Sequence, residues 1–371
     1  MQFRDIIGQE KIKEQLIRTV KENRVSHAQL FLGPEGSGSL PLALAYAQYI
    51  NCEQRLDHDS CGHCASCRKY GKLIHPDLHF SYPFFAAHKE DTASTFMEEW
   101  RHSFLSNPYL NLDSWRHSLD GGNKQANINI AECHHIIQKL SLKAFEATYK
   151  VLIMWLPEFL DKEGNTLLKL IEEPPERTLF LLVTQNQDQL LNTIISRTQL
   201  VKINAIDRES LTQYLVQEKG LDQAKATQLA YISGGNMQQV QSLLTDTSNN
   251  YFDLFVQWLR LCFGAKVLDI LALVDEELAK LGRENQKSFL LYAIQMMREV
   301  ILFKAGAKHL VHLPEAELLF VEKFAPLYST DQLAACVQIF EKTSYYVERN
   351  ANPKILFLDV SLQLIVLFKK R

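Results

Sequence analysis

A glycine-rich segment near the N-terminus has the spacing of a phosphate-binding loop. Such a loop reads G-x-x-x-x-G-K-[ST], in which backbone N–H groups cradle phosphates, the lysine pairs with the β- and γ-phosphates and the hydroxyl holds Mg²⁺. Gly33 and Gly38 have the required separation, but Ser39 replaces the lysine and Leu40 replaces the hydroxyl residue. The segment, which also contains Gly36, is therefore either an ordinary strand-to-helix turn or a degenerate P-loop that no longer uses ATP.

A second group of residues suited to chemistry is a cluster of four of the seven cysteines. The cluster has the spacing C-x₈-C-x₂-C-x₂-C and consists of Cys52, Cys61, Cys64 and Cys67. Four thiolates suit a closed tetrahedral Zn²⁺ site that has a structural role. The alternatives are free or disulfide-linked thiols, an iron–sulfur cluster, or ligation by His58 or His63 inside the cluster. The other cysteines stand alone in helical patterns and are predicted core residues: Cys133, Cys262 and Cys336.

The composition excludes several classes of protein. The 371 residues are 46% hydrophobic, which is enough for two or three domains with real cores. The net charge of −3 excludes a strongly basic nucleic-acid binder, so DNA contact would need a local patch or partner subunits. The N-terminus lacks a signal-peptide pattern, and no apolar stretch approaches membrane-spanning length. We therefore expect a cytoplasmic protein with no membrane partner.

Strands and helices alternate through the first part of the chain. Continuous apolar runs predict buried parallel strands at 28–32, 151–156 and 178–184. Helical patterns at 39–51, 129–142 and 165–173 lie between or beside these runs. The last of them ends at Pro174-Pro175, because proline cannot continue a helix. This alternation is typical of a parallel α/β layer.

The pattern divides the chain into three predicted domains. An α/β domain covers 1–204, a small helical domain covers 205–248, and an all-helical domain covers 249–371. Residues 81–125 are polar and aromatic and form a predicted insertion with some helix. Its aromatic side chains would either pack over a small core of their own or bind a partner or single-stranded DNA, and packing is favoured.

Several of these segments together resemble the clamp-loader branch of the AAA+ ATPases. The matching segments are Gly8-Gln9-Glu10, Ser26-His27-Ala28, the degenerate loop, the cysteine cluster, His75-Pro76-Asp77, and the stretches 165–175, 191–198 and 348–354. The resemblance implies an AAA+ P-loop type parallel-sheet domain with a zinc module at 52–67, followed by a helical lid domain and a helical collar domain that forms the oligomer. It does not cover the insertion at 81–125.

The same resemblance indicates which ATP-handling residues are missing. In an active subunit an Asp-Glu pair closes the strand, holds Mg²⁺ and orients water, but here those positions are Trp155 and Leu156. The lid arginine that usually reaches the γ-phosphate falls on Gln238. Each charge-assisted phosphate contact is worth about 1.5–3 kcal/mol, so the loss of several removes useful affinity. We expect that this chain neither binds nor hydrolyses ATP.

One charged element of the family is retained. Arg197, after Ser196, stands where the family has an arginine finger directed at a neighbour's ATP, although Thr198 replaces the usual cysteine. The alternative is a surface arginine at a strand–helix junction. The resemblance implies a stator with motor (gamma/tau) and delta subunits as partners, and with the sliding clamp and primed DNA reached through the assembly. The rival interpretations are a divergent ATPase and a zinc-containing nucleic-acid-binding module.

Overall fold

The computed structural model describes residues 1–86, 88–122, 124–245, 251–307, 311, 313–349 and 351–369, without the side chains of 161–163, 245, 284 and 348. The chain forms two compact units. Unit 1 contains Met1–Tyr214 and Gly234–Gln238, and unit 2 contains Leu215–Ser233 and Gln239–Arg371. Both units therefore contain parts of the predicted lid at 205–248. The predicted boundary at 248/249 and Asn350 of the matching C-terminal segment lie outside the described residues, and the three-domain division stays a prediction.

Unit 1 is built on a five-stranded sheet whose strands are all parallel. The strands are β1 (Ala28–Leu32), β2 (Leu78–Ser81), β3 (Lys150–Trp155), β4 (Thr178–Thr184) and β5 (Gln199–Lys202). Their order across the sheet is β2-β3-β4-β1-β5. The predicted α/β fold class is thus confirmed. The strand β1 lies between β4 and β5, so the glycine-rich segment that follows it emerges at the carboxyl edge where ligands bind in open α/β sheets.

Helices precede, connect and follow these strands. They are α1 (Glu10–Lys21), α2 (Ser39–Ile50), α3 (Ala65–Gly71), α4 (Met97–Ser106), α5 (Leu112–Ser118), α6 (Ile130–Ser141), α7 (Leu168–Glu172), α8 (Asn192–Ile195) and α9 (Arg208–Gln217, which ends in unit 2), with 3₁₀ helices at Phe3–Asp5, Ala93–Phe96, Pro157–Leu167 and Gln187–Gln189. The helix predicted at 165–173 is shorter than expected, because the chain runs as a 3₁₀ helix up to Leu167. It ends before Pro174 as predicted, with Glu173 outside the helical region.

Two apolar layers cover the faces of the sheet. Along β3, successive side chains alternate between them: Val151 and Ile153 join the layer that contains α2, whereas Leu152 and Met154 join the layer that contains α6. This alternation follows from the two-residue period of a strand. The unbroken apolar run is explained by burial on both faces.

The aromatic residues of the insertion at 81–125 lie inside the first of these layers. Trp100 and Trp115 are fully buried, and Trp100 stacks on Tyr82 with ring centroids 4.0 Å apart. The two tryptophan rings meet edge to face at 5.3 Å, and the Trp115 indole donates a hydrogen bond to the Pro83 carbonyl at 2.7 Å. The insertion therefore packs as predicted, but it shares the core of the sheet and has no separate core.

Unit 2 is helical in its described residues. Its helices are α10 (Gln223–Ile232), α11 (Met237–Thr245, which begins in unit 1), α12 (Tyr251–Phe263), α13 (Val267–Glu276), α14 (Arg283–Lys304), α15 (Glu315–Phe324), α16 (Thr330–Glu348) and α17 (Pro353–Lys369), with 3₁₀ helices at Leu278–Lys280 and Ala325–Leu327. Trp258, which is fully buried, packs on Phe289, Phe340 and Phe357 in its core. No helix among the described residues combines the length and the apolar character that a bilayer crossing requires.

The segment His75-Pro76-Asp77 fixes the entry to two strands. The buried Asp77 carboxylate accepts hydrogen bonds from three successive backbone N–H groups, those of Phe145, Glu146 and Ala147, at 2.6–2.8 Å. Burial raises the pKa of Asp77, but the three N–H donors outweigh it and hold this pKa below its ordinary value. The ionised side chain therefore anchors the loop that leads into β3.

We predict that Asp77→Ala lowers the free energy of unfolding by about 3 kcal/mol, because it leaves three partly buried N–H groups without their acceptor. The folded-state pKa is depressed, so the contribution is complete above the ordinary value of 3.8 and is lost as pH falls through the folded-state value. Urea unfolding at several pH values measures both effects. Asp57→Ala, at a side chain that is 88% exposed, is the matched control and should cost less than about 0.5 kcal/mol. An equal loss in both variants would contradict the anchoring role.

Candidate functional site

The glycine-rich segment forms the turn between β1 and α2. Gly36 and Gly38 both have positive φ, at 71° and 88°, and Gly38 is the N-cap of α2. Both values lie in the left-handed region, which glycine adopts without steric cost. The Ser39 hydroxyl, at the position where a P-loop has lysine, is buried and lies 2.9 Å from the Ser37 hydroxyl. Ser39 therefore supplies no charge to the loop.

The cleft above this loop is filled by the protein itself. Pro108, Tyr109 and Leu110 of the insertion line it together with Trp155, and they leave a free volume of about 30 Å³. Pockets for small-molecule ligands have volumes of about 300–1,000 Å³. The free volume above the loop is well below that range.

Tyr109 packs against the loop at Gly38. A Cβ added at Gly38 would lie 3.1 Å from the Tyr109 ring, so the ring rests directly on the glycine backbone. The Tyr109 hydroxyl accepts a hydrogen bond from the buried Ile7 N–H at 3.1 Å. The side chain thus closes the cleft and satisfies a backbone donor on its far side.

The residue at the position of the lid arginine bonds to the same insertion. Gln238 accepts a hydrogen bond from the Asn107 amide at 3.0 Å, and its own amide donates to the Ser114 hydroxyl at 3.3 Å. Next to it, Met237 N–H donates to the Gly36 carbonyl at 3.1 Å. Gln238 and Met237 therefore contact the insertion and the loop at the place where the resemblance puts the lid arginine.

The strand end that would carry the Asp-Glu pair is apolar and buried. Trp155 packs on Trp100 with ring centroids 5.4 Å apart, and Leu156 is 4% exposed. Glu158 follows, but its carboxylate accepts hydrogen bonds from the Thr184 hydroxyl and from the N–H groups of Gln185 and Asn186. Its Oε1 atom is thereby committed to the end of β4.

Arg197 lies just beyond α8, at the surface. Its Nε donates to Glu172 Oε2 at 3.1 Å, and its Nη1 donates to the Thr193 carbonyl at 3.0 Å and to the Ser196 hydroxyl at 3.4 Å. The side chain of Arg197 is 32% exposed and that of Glu172 is 56% exposed. The guanidinium is therefore held by its own chain and still reaches solvent.

The four clustered cysteines converge on one point. Their Sγ atoms all lie within 4.8 Å of one another. The N–H groups of Cys61, Cys64 and Cys67 donate to the preceding cysteine sulfurs at 3.3–3.4 Å. Both ring nitrogens of His63 are engaged elsewhere, with the Cys61 carbonyl and Gln54. This donor set fits a tetrahedral metal site of four thiolates.

The surroundings favour a thiolate at one of these positions. Burial raises the pKa of Cys61, but hydrogen bonds from the N–H groups of Cys64 and His63 and from neighbouring thiols together outweigh it and lower this pKa to about 6. Burial raises the pKa of Cys52. The three isolated cysteines are buried, as predicted: Cys133, Cys262 and Cys336.

The structure brings together some predicted residues and separates others. The loop and Trp155 line one cleft, and Gln238 bonds to the insertion that covers it, whereas Arg197 and the cysteine cluster lie on separate elements. The prediction missed Tyr109, Asn107 and Ser114, because nothing in the spacing of the insertion ties these residues to the loop. It also missed the ion pair between Arg197 and Glu172, although both residues lie in matching segments.

Comparisons with known proteins support the resemblance. A family model described as "DNA polymerase III, delta subunit" matches residues 8–207, just over half of the chain. The delta' subunit of DNA polymerase III from Escherichia coli (strain K12) is 25% identical over 226 residues, which are 60% of this chain and 56% of that protein. The delta' subunit from Bacillus subtilis (strain 168) is 24% identical over 210 residues, 57% of this chain and 52% of that protein.

A gamma subunit matches as well. The DNA polymerase III subunit gamma of Buchnera aphidicola is 24% identical over 253 residues, 67% of this chain and 59% of that protein. The chain thus spans less than two thirds of each of these curated relatives. Two solved structures, a Bacillus subtilis clamp loader delta protein and a gamma-related protein of Thermotoga maritima, cover 95% and 96% of this chain at 13% and 14% identity. Their TM-scores, 0.33 and 0.37, are too low to add to the argument.

We predict that Tyr109→Ala lowers the free energy of unfolding by about 3 kcal/mol, because it empties a packed site above the loop. Tyr109→Phe should cost about 1 kcal/mol, since it removes only the acceptor of the Ile7 N–H. Urea unfolding of the full chain measures both. Phe145→Ala, at a ring that is 80% exposed in the same unit, is the control and should change stability by less than about 0.5 kcal/mol. If Tyr109→Ala matched this control, the ring would not be part of the packed cleft.

Proposed function

The chain belongs to the family of DNA polymerase III delta subunits, and we propose that it is a stator subunit of the clamp loader of that polymerase. In this role it neither binds nor hydrolyses ATP and donates Arg197 to the ATP site of a neighbouring motor subunit. Among its relatives, the role corresponds to that of the delta prime subunit. The proposal explains why Arg197 is present, whereas the lysine, the Asp-Glu pair and the lid arginine expected from the resemblance are absent.

The observation that carries the proposal is the filled cleft. The free volume of about 30 Å³ above the loop lies well below the range of ligand pockets, which supports a subunit that binds no nucleotide. A phosphate that displaced Tyr109 would meet Ser39 and Trp155, which are uncharged, and Glu35, which is negative. Because such a site offers little room and no positive charge, catalysis within this subunit is disfavoured.

Arg197 supplies the proposed activity in trans. A guanidinium is always charged and directs several N–H donors at phosphate oxygens, and its solvent exposure allows an adjacent subunit to reach it. It stabilises the negative charge that develops on the transferred phosphoryl group. Ser196 contributes by accepting a hydrogen bond from the guanidinium.

The proposed partners are the motor (gamma/tau) and delta subunits of the DNA polymerase III holoenzyme. The sliding clamp and primed DNA would be reached through the assembly. The net charge of −3 agrees with this arrangement, because a chain without overall positive charge is not equipped for strong DNA binding by itself.

The cysteine cluster is proposed to hold one structural Zn²⁺. Cys52, Cys61, Cys64 and Cys67 would each supply a thiolate, and the N–H···S bonds within the cluster stabilise that charge. Zinc in such a closed site contributes folding free energy and has no open position for a reaction. The module would brace the start of α3 and the chain between 52 and 67.

We predict that Arg197→Ala slows ATP hydrolysis at the one site it serves by roughly 10³-fold, the lower end of the effect of arginine fingers in GTPases. ATPase and clamp-loading assays of the reconstituted assembly measure this. Assembly itself should persist, because the side chain makes only surface contacts. Arg24→Ala, at another exposed arginine of unit 1, is the control and should leave both activities unchanged.

Three results would contradict the proposal. Unchanged ATPase in the Arg197→Ala assembly would show that this residue is not a finger. Micromolar binding of labelled ATP by the isolated chain, or turnover by it, would favour a divergent ATPase. Tight DNA binding by the chain alone, without association with motor subunits, would instead favour the zinc-containing nucleic-acid-binding module.

We predict about one Zn²⁺ per purified chain, measured by elemental analysis. Cys64→Ser should lower the zinc content and the thermal stability, since a three-thiolate site is incomplete. His63→Ala should retain full zinc, because that ring bonds away from the cluster. Iron with visible absorption bands, or a zinc-free protein of unchanged stability, would overturn the assignment.

A further inference from the structure

The guanidinium of Arg197 is oriented by three hydrogen bonds within its own chain. Glu172 accepts from Nε, while the Thr193 carbonyl and the Ser196 hydroxyl accept from Nη1. These bonds use three of the five N–H donors of the group. No partner for Nη2 is present among the described residues. The planar group is thus held by two of its nitrogens and leaves the third, with its two N–H donors, unoccupied.

Glu172 supplies the only charged contact of Arg197 among the described residues. It is the last residue of α7, which ends immediately before Glu173 and the two prolines, so its backbone is fixed by the helix end. The Thr193 and Ser196 acceptors lie on the segment that carries Arg197 itself. Only Glu172 therefore ties the guanidinium to a different element of the sheet domain.

We propose that Glu172 is a positioning residue for the arginine finger. It fixes the guanidinium so that the Nη2 donors are directed at a phosphate group bound to the neighbouring subunit. A flexible arginine would have to lose its rotamer freedom when the neighbour docks, and the existing ion pair removes part of that cost. This inference rests on the proposed function, because it assigns a role to Arg197 in trans.

An inhibitory role of Glu172 predicts the opposite effect on ATP hydrolysis. If Glu172 only neutralised Arg197 in the free chain, the carboxylate would compete with the phosphate and its removal would speed hydrolysis. If Glu172 positions Arg197, its removal slows hydrolysis. The amide of glutamine still accepts a hydrogen bond from Nε but carries no charge. Glu172→Ala and Glu172→Gln therefore separate orientation from charge.

The test uses the full chain reconstituted with its motor and delta partners. We expect Glu172→Ala to lower kcat for ATP hydrolysis at the served site about two- to fivefold, the range of an exposed ion pair, with KM for ATP unchanged. Glu172→Gln should restore most of that loss. The control is Glu173→Ala, at the adjacent exposed glutamate, which forms no ion pair among the described residues and should leave kcat unchanged.

A double variant separates this inference from the proposed function. In an Arg197→Ala background, Glu172→Ala should cause no further loss, because nothing remains to be positioned. If Arg197→Ala slows hydrolysis but Glu172→Ala alone leaves it unchanged or speeds it, the positioning role of Glu172 is wrong. The assignment of Arg197 as an arginine finger is then unaffected. A further loss in the double variant would also overturn positioning. If Arg197→Ala has no effect on ATP hydrolysis, the proposed function itself is wrong.

Discussion

The packing of the insertion against the carboxyl edge of the sheet is the constraint on which the rest of unit 1 depends. Trp155 at the end of β3 contacts Trp100, and Tyr109 rests on the glycine loop. A carboxylate at position 155 would be desolvated among these rings without a partner, at a cost of several kcal/mol. The loss of the metal-binding pair and the presence of the aromatic insertion are therefore mutually consistent.

The residues that the resemblance places at the nucleotide site and the proposed arginine finger differ in their burial. The elements that would receive a nucleotide are buried in apolar or neutral contacts, whereas Arg197 keeps its charge at the surface. Electrostatic catalysis needs a charge that is already oriented and becomes desolvated only when the partner arrives. In the proposed role, Arg197 has those properties, because its side chain is 32% exposed and is paired with Glu172.

Much of the fold was predictable because it depends on local pattern. The strand at 178–184 agrees with β4 residue for residue, since continuous apolar runs bounded by polar segments specify buried strands. The convergence of the four clustered cysteines was equally predictable from their spacing. The contacts of Tyr109 and Gln238 were not, because they join residues more than a hundred positions apart through an insertion without periodicity. The 3₁₀ segment before α7 also escaped prediction, as its composition fits an ordinary helix.

Hydrogen bonds at the cleft join the glycine loop and the insertion to the residues that the resemblance assigns to the lid. Met237 bonds to Gly36, and Gln238 bonds to Asn107 and Ser114. A ligand can shift an equilibrium only by its differential affinity for two states. In the proposed stator role, these contacts within the protein would take the place of a nucleotide between the loop and the lid. The element that carries Arg197 would then keep one position while the neighbouring subunit hydrolyses ATP, as a fixed donor of a catalytic charge requires.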